Sequence, residues 1–355
     1  MARRETILDL LERLAPDVGK AFEESIRNMR SDVRIGAVES AIAEYMRNPS
    51  PDRVQRVIGL LNLDDAYFAP LDRALRGAYE QGGDWAIDQL VREARGQGVQ
   101  ISARFNSRNE RAERFVRDQS SRLITEVLDD QREAVRAALR EGLERGTAPR
   151  TAARDIVGRV NRAKAGSPRE GGILGLHSRD AQAADRALAQ LRSGDSADLR
   201  AYLNRKRRDR RFDPVVRKAL REGTPVPADR ARAMVTRYKA RLLEKRGEDI
   251  ARTELMRSLH AAQDEGIHQL VDDGKAQPGA VKRVWDASGD SATRDSHAAM
   301  DGQVRGLDEP FVTGAGHRVM YPGDTSLGAP AEEVINERCI LRIDVDFTAN
   351  LEPGD

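Results

Sequence analysis

A mainly α-helical chain closed by a small C-terminal α+β module is what this sequence predicts, on three observations. Before about residue 275, hydrophobic residues recur at three- and four-residue intervals, the spacing of one face of a helix. Beyond that point Gly, His and aromatic residues crowd together where earlier segments are Ala, Arg and Glu. Near the end Leu341, Ile343, Val345 and Phe347 alternate with Arg342, Asp344 and Asp346, the period of a half-buried strand. With 39% hydrophobic, 4% aromatic and 33% charged residues, the balance suits elongated helical structure better than one compact globule. A length of 355 residues suggests two or three domains. The expected division is a helical unit at 1–92, a helical middle region at 93–275 and an α+β module at 276–350.

Residues 5–47 read as amphipathic helix through Ile7, Leu10, Leu11 and Leu14 and then Phe22, Ile26, Met29 and Val33, with Pro16 permitting a new start. Asn48-Pro49-Ser50-Pro51 is a stop, after which Val54, Val57, Ile58, Leu60 and Leu61 resume helical spacing. A further helix from Leu71 to Tyr79 is expected to break at Gln81-Gly82-Gly83, with Trp85, Ile87, Leu90 and Val91 forming the next buried face. The aromatic residues here are expected to pack in a core.

From Ser102 to Val160 the pattern is helical with a break at Gly146-Thr147-Ala148-Pro149, where Thr147 is the expected cap and Pro149 needs no donor. Gly166-Ser167-Pro168 to Gly175 reads as a flexible connection, with His177 beyond it as a solvated or capping imidazole. Arg200 to Arg221, a run of Lys and Arg with Asp209 and Asp213 as its acids, is the one local charge excess large enough to matter. Within it Arg205, Lys206, Arg207, Arg208, Arg210 and Arg211 are candidate phosphate contacts, because each neutralised phosphate releases counterions. The competing reading is a solvated face or one paired with a protein's acids. Thr224-Pro225-Val226-Pro227 then starts the long helix that feeds the C-terminal module.

On that helix Ala251, Leu255, Leu259, Ala262 and Leu270 share a face, with Arg252 and Glu254 off it. Val281 to Trp285 reads as a strand, and Asp290 or Ser291 as the cap of a short helix carrying Thr293, Arg294, Asp295 and His297, ended by a turn at Asp301-Gly302. Phe311-Val312 and His317 to Tyr321 flank Thr313-Gly314-Ala315-Gly316 as a hairpin, and Pro330 suits the first turn of another short helix.

This succession resembles the phage Mu protein F-like family of minor head, or head morphogenesis, proteins. The residues that carry the resemblance are Arg252-Thr253-Glu254, Trp285, Asp290, Thr293, Arg294, His297, Asp301, Gly302, Phe311, Gly316, Pro322, Asp324 and the closing Asn336 and Arg338-Cys339. Members often close with Asn-Cys-Arg-Cys, whereas this chain has Asn336-Glu337-Arg338-Cys339, so a paired-cysteine role is not carried over. The resemblance implies a structural protein without catalytic residues, metal or cofactor. It would be built in several copies into the procapsid and virion through the portal protein, the major capsid protein or a scaffolding protein. It would lie at the head interior or portal vertex, beside packaged double-stranded DNA, after synthesis in the host cytoplasm.

Two rival classes set the tests. His297, Asp301, His317, Asp324 and Cys339 are possible metal ligands for a hydrolase or nuclease, but their spacing is irregular, and none forms a His-x-x-x-His or Cys-x-x-Cys pair. Cys339 at the entrance to a strand reads as a small packed thiol rather than a nucleophile paired with His297 or His317. Arg294 and Glu254 are a candidate buried ion pair. The second rival is a freestanding DNA-binding protein centred on the basic run. Sixty Lys+Arg against 58 Asp+Glu give no global attraction to nucleic acid or membrane. The single cysteine excludes an intramolecular disulfide and points to a reducing compartment. The first residues, MARRETILDLLERLAPDVGK, lack the apolar core of a signal peptide, and no apolar run approaches a membrane span.

Overall fold

The computed structural model describes residues 5–160, 167–291 and 293–350. The architecture is mainly α-helical with short antiparallel strands near the C-terminus, as the hydrophobic patterning predicts. The helices are α1 (Ile7–Asp32), α2 (Ile35–Arg47), α3 (Pro51–Leu60), α4 (Ala69–Gly96), α5 (Glu110–Glu144), α6 (Pro149–Val157), α7 (Ser178–Ser193), α8 (Ser196–Leu203), α9 (Asp213–Glu222), α10 (Ala228–Asp272), α11 (Asp295–Ala298) and α12 (Ala331–Val334). The strands are β1 (Arg159–Val160), β2 (Arg169–Glu170), β3 (Val281–Asp286), β4 (Val304–Arg305), β5 (Phe311–Val312), β6 (Arg318–Val319) and β7 (Ile340–Val345). No helix among the described residues is long and apolar enough to cross a membrane.

The described residues gather into two compact units, each assembled from separate stretches of chain. The first takes residues within Met1–Gly19, Leu71–Ser121 and Glu248–Asp355. Its strand β3 lies between β4 and β7, antiparallel to both, with Arg283 opposite Arg305 and Val284 opposite Arg342. β5 and β6 form the expected hairpin. A single apolar cluster joins Tyr79 and Leu90 of α4, Val116 of α5 and Leu270 of α10 to Trp285, Phe311, Leu341, Ile343 and Phe347. The expected boundary at 275/276 runs through this cluster. The second unit takes residues within Lys20–Pro70 and Arg122–Gly247. There α7, α8 and α9 close over one face of α10 through Leu191, Leu199, Tyr202, Val216 and Val235.

Several local expectations are overridden by packing. Pro16 lies inside α1 rather than at a new start. An interior proline costs a helix about 3 kcal/mol, and the four buried chains Leu10, Leu11, Leu14 and Val18 contribute about 1.5–3 kcal/mol each, so the helix continues. Nor does α4 break at Gly82-Gly83. A Cβ on Gly83 would stand 2.2 Å from the Phe105 ring, and one on Gly82 2.9 Å from Leu259 Cδ2, so these glycines admit close neighbours.

Thr147 does not cap α6: the cap position is Ala148 with no side-chain bond, Pro149 follows as expected, and the Thr147 N–H donates to the Gly142 carbonyl at 2.8 Å. The segment read as a flexible connection is instead packed over its described part, 167–175. β2 pairs with β1, Ile173 and Leu174 are buried, and the Ile173 N–H donates to the Ile156 carbonyl at 3.0 Å. Gly166 of that segment lies outside the described residues. α11 begins at Asp295 after Arg294, not after Asp290 or Ser291, because the Asp290 carboxylate is held by Arg338. Pro330 precedes α12 as its cap residue.

Candidate functional site

Three short pieces of the first unit bring their polar side chains to one buried point. α11 supplies Ser296 and His297, the β5–β6 turn supplies Thr313 and His317, and α12 with the residues after it supplies Glu333, Glu337 and Cys339. The Trp285 ring from β3 meets the His297 imidazole edge-on, with centroids 5.7 Å apart. Glu333 Oε2 accepts from Ser296 Oγ at 2.9 Å and lies 2.8 Å from His297 Nε2. Its Oε1 accepts from Thr313 Oγ1 at 3.5 Å and lies 3.2 Å from His317 Nδ1. Glu337 Oε1 accepts the backbone N–H groups of Arg338 and Cys339 at 2.7 and 2.8 Å. Its Oε2 lies 2.6 Å from His297 Nδ1 and 3.9 Å from the Arg294 guanidinium, with no well-directed hydrogen bond. Cys339 Sγ is 3.8 Å from the same Nδ1.

Burial would raise the Glu337 carboxyl, but the His297 imidazole and the Cys339 N–H outweigh it and hold the group down at about 2. Burial lowers the His297 pKa, and its two glutamates overcome that and raise it. Burial and then Glu337 push the Cys339 thiol up to about 12, so a free thiol here stays protonated and is no activated nucleophile. Residues of His297, Glu337 and Cys339 type, converging within 4.8 Å, could hold a metal ion.

The irregular sequence spacing of His297, His317 and Cys339 hid this convergence. Glu333 and Glu337 were missed altogether; the only available signal was their i, i+4 spacing just before Cys339. The other expected ligands are occupied elsewhere: Asp301 Oδ1 accepts from the Ala287 N–H at 2.9 Å, and Asp324 accepts from the N–H groups of Met320 and Ser326.

The remaining motif residues brace the module. Gly302 has φ +72°, which favours glycine, and its N–H returns to the Trp285 carbonyl at 2.9 Å. Asn336 occupies the left-handed region at φ +55° and donates its N–H to Thr253 Oγ1. Pro322 is buried and Arg252 exposed. Glu254 is not off the buried face as expected, because α10 is enclosed on nearly all sides between Glu254 and Gln263. It accepts from Gln119 Nε2 at 2.9 Å and Arg257 at 3.4 Å. Arg294 does not meet it: that side chain donates to the Ile335 carbonyl and faces Glu337.

His260, on the same buried stretch, accepts the Leu341 N–H at Nε2. Burial lowers its pKa to about 4 from 6.5, with Glu337 opposing more weakly. The unfolded chain therefore binds this proton first as the pH falls, and the neutral ring's contribution, complete above pH 6.5, is lost on descent toward 4. We expect about 3 kcal/mol of unfolding free energy to vanish across that window on account of this residue. Urea unfolding at pH 7, 5.5 and 4.5 checks it: the decline should be shallower in His260→Gln, and equal slopes would refute it. His297, with its raised pKa, acts in the opposite sense in both proteins.

In the second unit, the basic segment is partly neutralised from within. Arg208 forks onto Asp213 at 2.9 and 2.8 Å, Arg211 holds Asp209 at 2.7 Å, and Arg205 donates to Gln190 beneath a Tyr238 ring contact. Lys206, Arg207 and Arg210 are exposed on the turn between α8 and α9.

Residues 212–342 match the family model described as phage Mu protein F like protein. No curated protein and no solved structure matches the chain. The matched span runs from the start of α9 into β7 and contains the Trp285, His297 and Cys339 positions whose convergence forms the buried site. Over residues 212–342, then, the chain is similar to the phage Mu protein F like family.

Proposed function

We propose that this chain is a structural minor head protein of a phage, built into the procapsid and retained in the virion through the portal protein, the major capsid protein or a scaffolding protein, and that it is not an enzyme. The observation that carries this reading is the combination of the matched family with a polar centre buried at all three of its converging side chains, His297, Glu337 and Cys339. A centre that tightly enclosed suits bracing a fold better than turning over a substrate, and its thiol is raised rather than activated. Lys206, Arg207 and Arg210 are the side chains through which packaged DNA would be touched.

Quantitative mass spectrometry of procapsids and mature virions from cells expressing the full chain tests the reading. The chain should be present in both at several copies per particle and should co-purify with portal rings. Its absence from particles would sink the proposal. Neutralising Lys206, Arg207 and Arg210 together should flatten the salt dependence of DNA affinity, and an unchanged slope would remove the DNA contact alone.

A further inference from the structure

The hydrogen bonding around His297 leaves one side of the ring unexplained. A neutral imidazole donates from one nitrogen and accepts at the other. Nε2 faces Glu333 at 2.8 Å, and if it is the donor there, a neutral ring has its lone pair on Nδ1. That lone pair points at two further electron-rich atoms, Glu337 Oε2 at 2.6 Å and Cys339 Sγ at 3.8 Å. Glu337 is only 2% exposed, and while its Oε1 is satisfied by two backbone N–H groups, its Oε2 has no directed donor. Bare lone pairs do not face one another across 2.6 Å in a dry interior unless a cation compensates them. The nearest fixed cation, Arg294, is 3.9 Å away and already donates to the Ile335 carbonyl.

We infer that His297 Nδ1, Glu337 Oε2 and Cys339 Sγ bind a zinc ion that staples the segment after α12 to α11. One nitrogen, one carboxylate oxygen and one sulfur form a donor set suited to zinc rather than to magnesium or calcium. Zinc bonds of about 2.0–2.3 Å in tetrahedral geometry separate ligand atoms by about 3.3–3.7 Å. The Sγ–Nδ1 distance of 3.8 Å already nearly meets that, and the Nδ1–Oε2 pair opens by less than an ångström. Glu333 on His297 Nε2, itself held by Ser296 and Thr313, is the carboxylate that orients a metal-bound imidazole. On binding, the thiol loses its proton to solvent as the S–Zn bond forms. The charges of the thiolate and the Glu337 carboxylate then balance the dication they bind.

The test uses the full chain, dialysed and offered zinc alone, with metal content measured by elemental analysis and folding followed by circular dichroism. One zinc per chain is expected. Cys339→Ser and Glu337→Gln should lose it while keeping their helical signal, and Glu333→Gln should weaken it by about 10–100-fold. Cobalt in place of zinc should give a thiolate charge-transfer absorption that is absent in Cys339→Ser. The inference is overturned if the unaltered chain takes up no zinc and its melting is indifferent to chelator, the outcome expected of a doubly protonated His297 bridging the two glutamates. It is equally overturned if Cys339→Ser and Glu337→Gln bind zinc as tightly as the unaltered chain.

Discussion

Replacing Arg283 by Met is expected to destabilise the first unit by about 3–5 kcal/mol, the cost of breaking a buried charge pair from one side. The Arg283 side chain is fully buried on β3. Its guanidinium donates to Asp264 Oδ1 at 3.0 Å, to the carbonyls of Gly306 and Met320 at 3.0 and 2.9 Å, and to the Glu309 carbonyl, and it lies 5.6 Å from the Phe311 ring centroid. One side chain thus ties α10 to the β4, β5 and β6 segments. Met fills much of the volume but leaves Asp264, whose pKa burial already raises, without its strongest countercharge. Three carbonyls also lose their donor. Since whole domains are stable by about 5–15 kcal/mol, the loss is a large share of the total. The urea midpoint measures it. Arg283→Lys should fall between, because an ammonium keeps the charge but lacks the fork. Adding Asp264→Asn to Arg283→Met should recover part of the loss, and strict additivity of the two changes, or a loss under about 0.5 kcal/mol for Met alone, would show that the clasp carries little.

Ending the chain after Lys275 should cost the first unit its cooperative fold. The cut removes Trp285, Phe311, Leu341, Ile343 and Phe347 from the cluster they share with Tyr79, Leu90, Val116 and Leu270. At about 2–5 kcal/mol for each large core side chain deleted, five such losses exceed the stability of an ordinary domain. Hydrogen exchange should show amide protection lost across residues 71–121 and 248–272 and kept within 122–247. Persistent protection at 71–121 would mean that α4 and the first part of α5 hold together without the module.

What could be read before folding follows from periodicity and from local backbone chemistry. β3, the β5–β6 hairpin and β7 lie where β-branched runs, a Gly-rich turn and strict alternation put them, because those signals act within a few residues. The start of α10 after Pro227 was legible for the same reason. Pro16 and Gly82-Gly83 misled because a local penalty of a few kcal/mol was set against burial by residues distant in sequence, such as Phe105 and Leu259. His297 and Cys339 were visible as residues but not as neighbours. Nothing local in the sequence marked Glu333, Glu337 or Arg283 as partners of side chains distant along the chain.

Taken alone, the sequence determined that the chain is mostly helical, that an α+β module follows the long helix, and which residues of that module resemble a phage head family. Tertiary structure alone decided that the module shares its core with α4, α5 and α10, that Arg208 and Arg211 face acids of their own segment, and that a histidine, two glutamates and the single cysteine meet at one buried point. The physical reason is range: helical and strand periods are properties of a few consecutive residues, whereas burial and the pairing of charges depend on which distant side chains exclude water together.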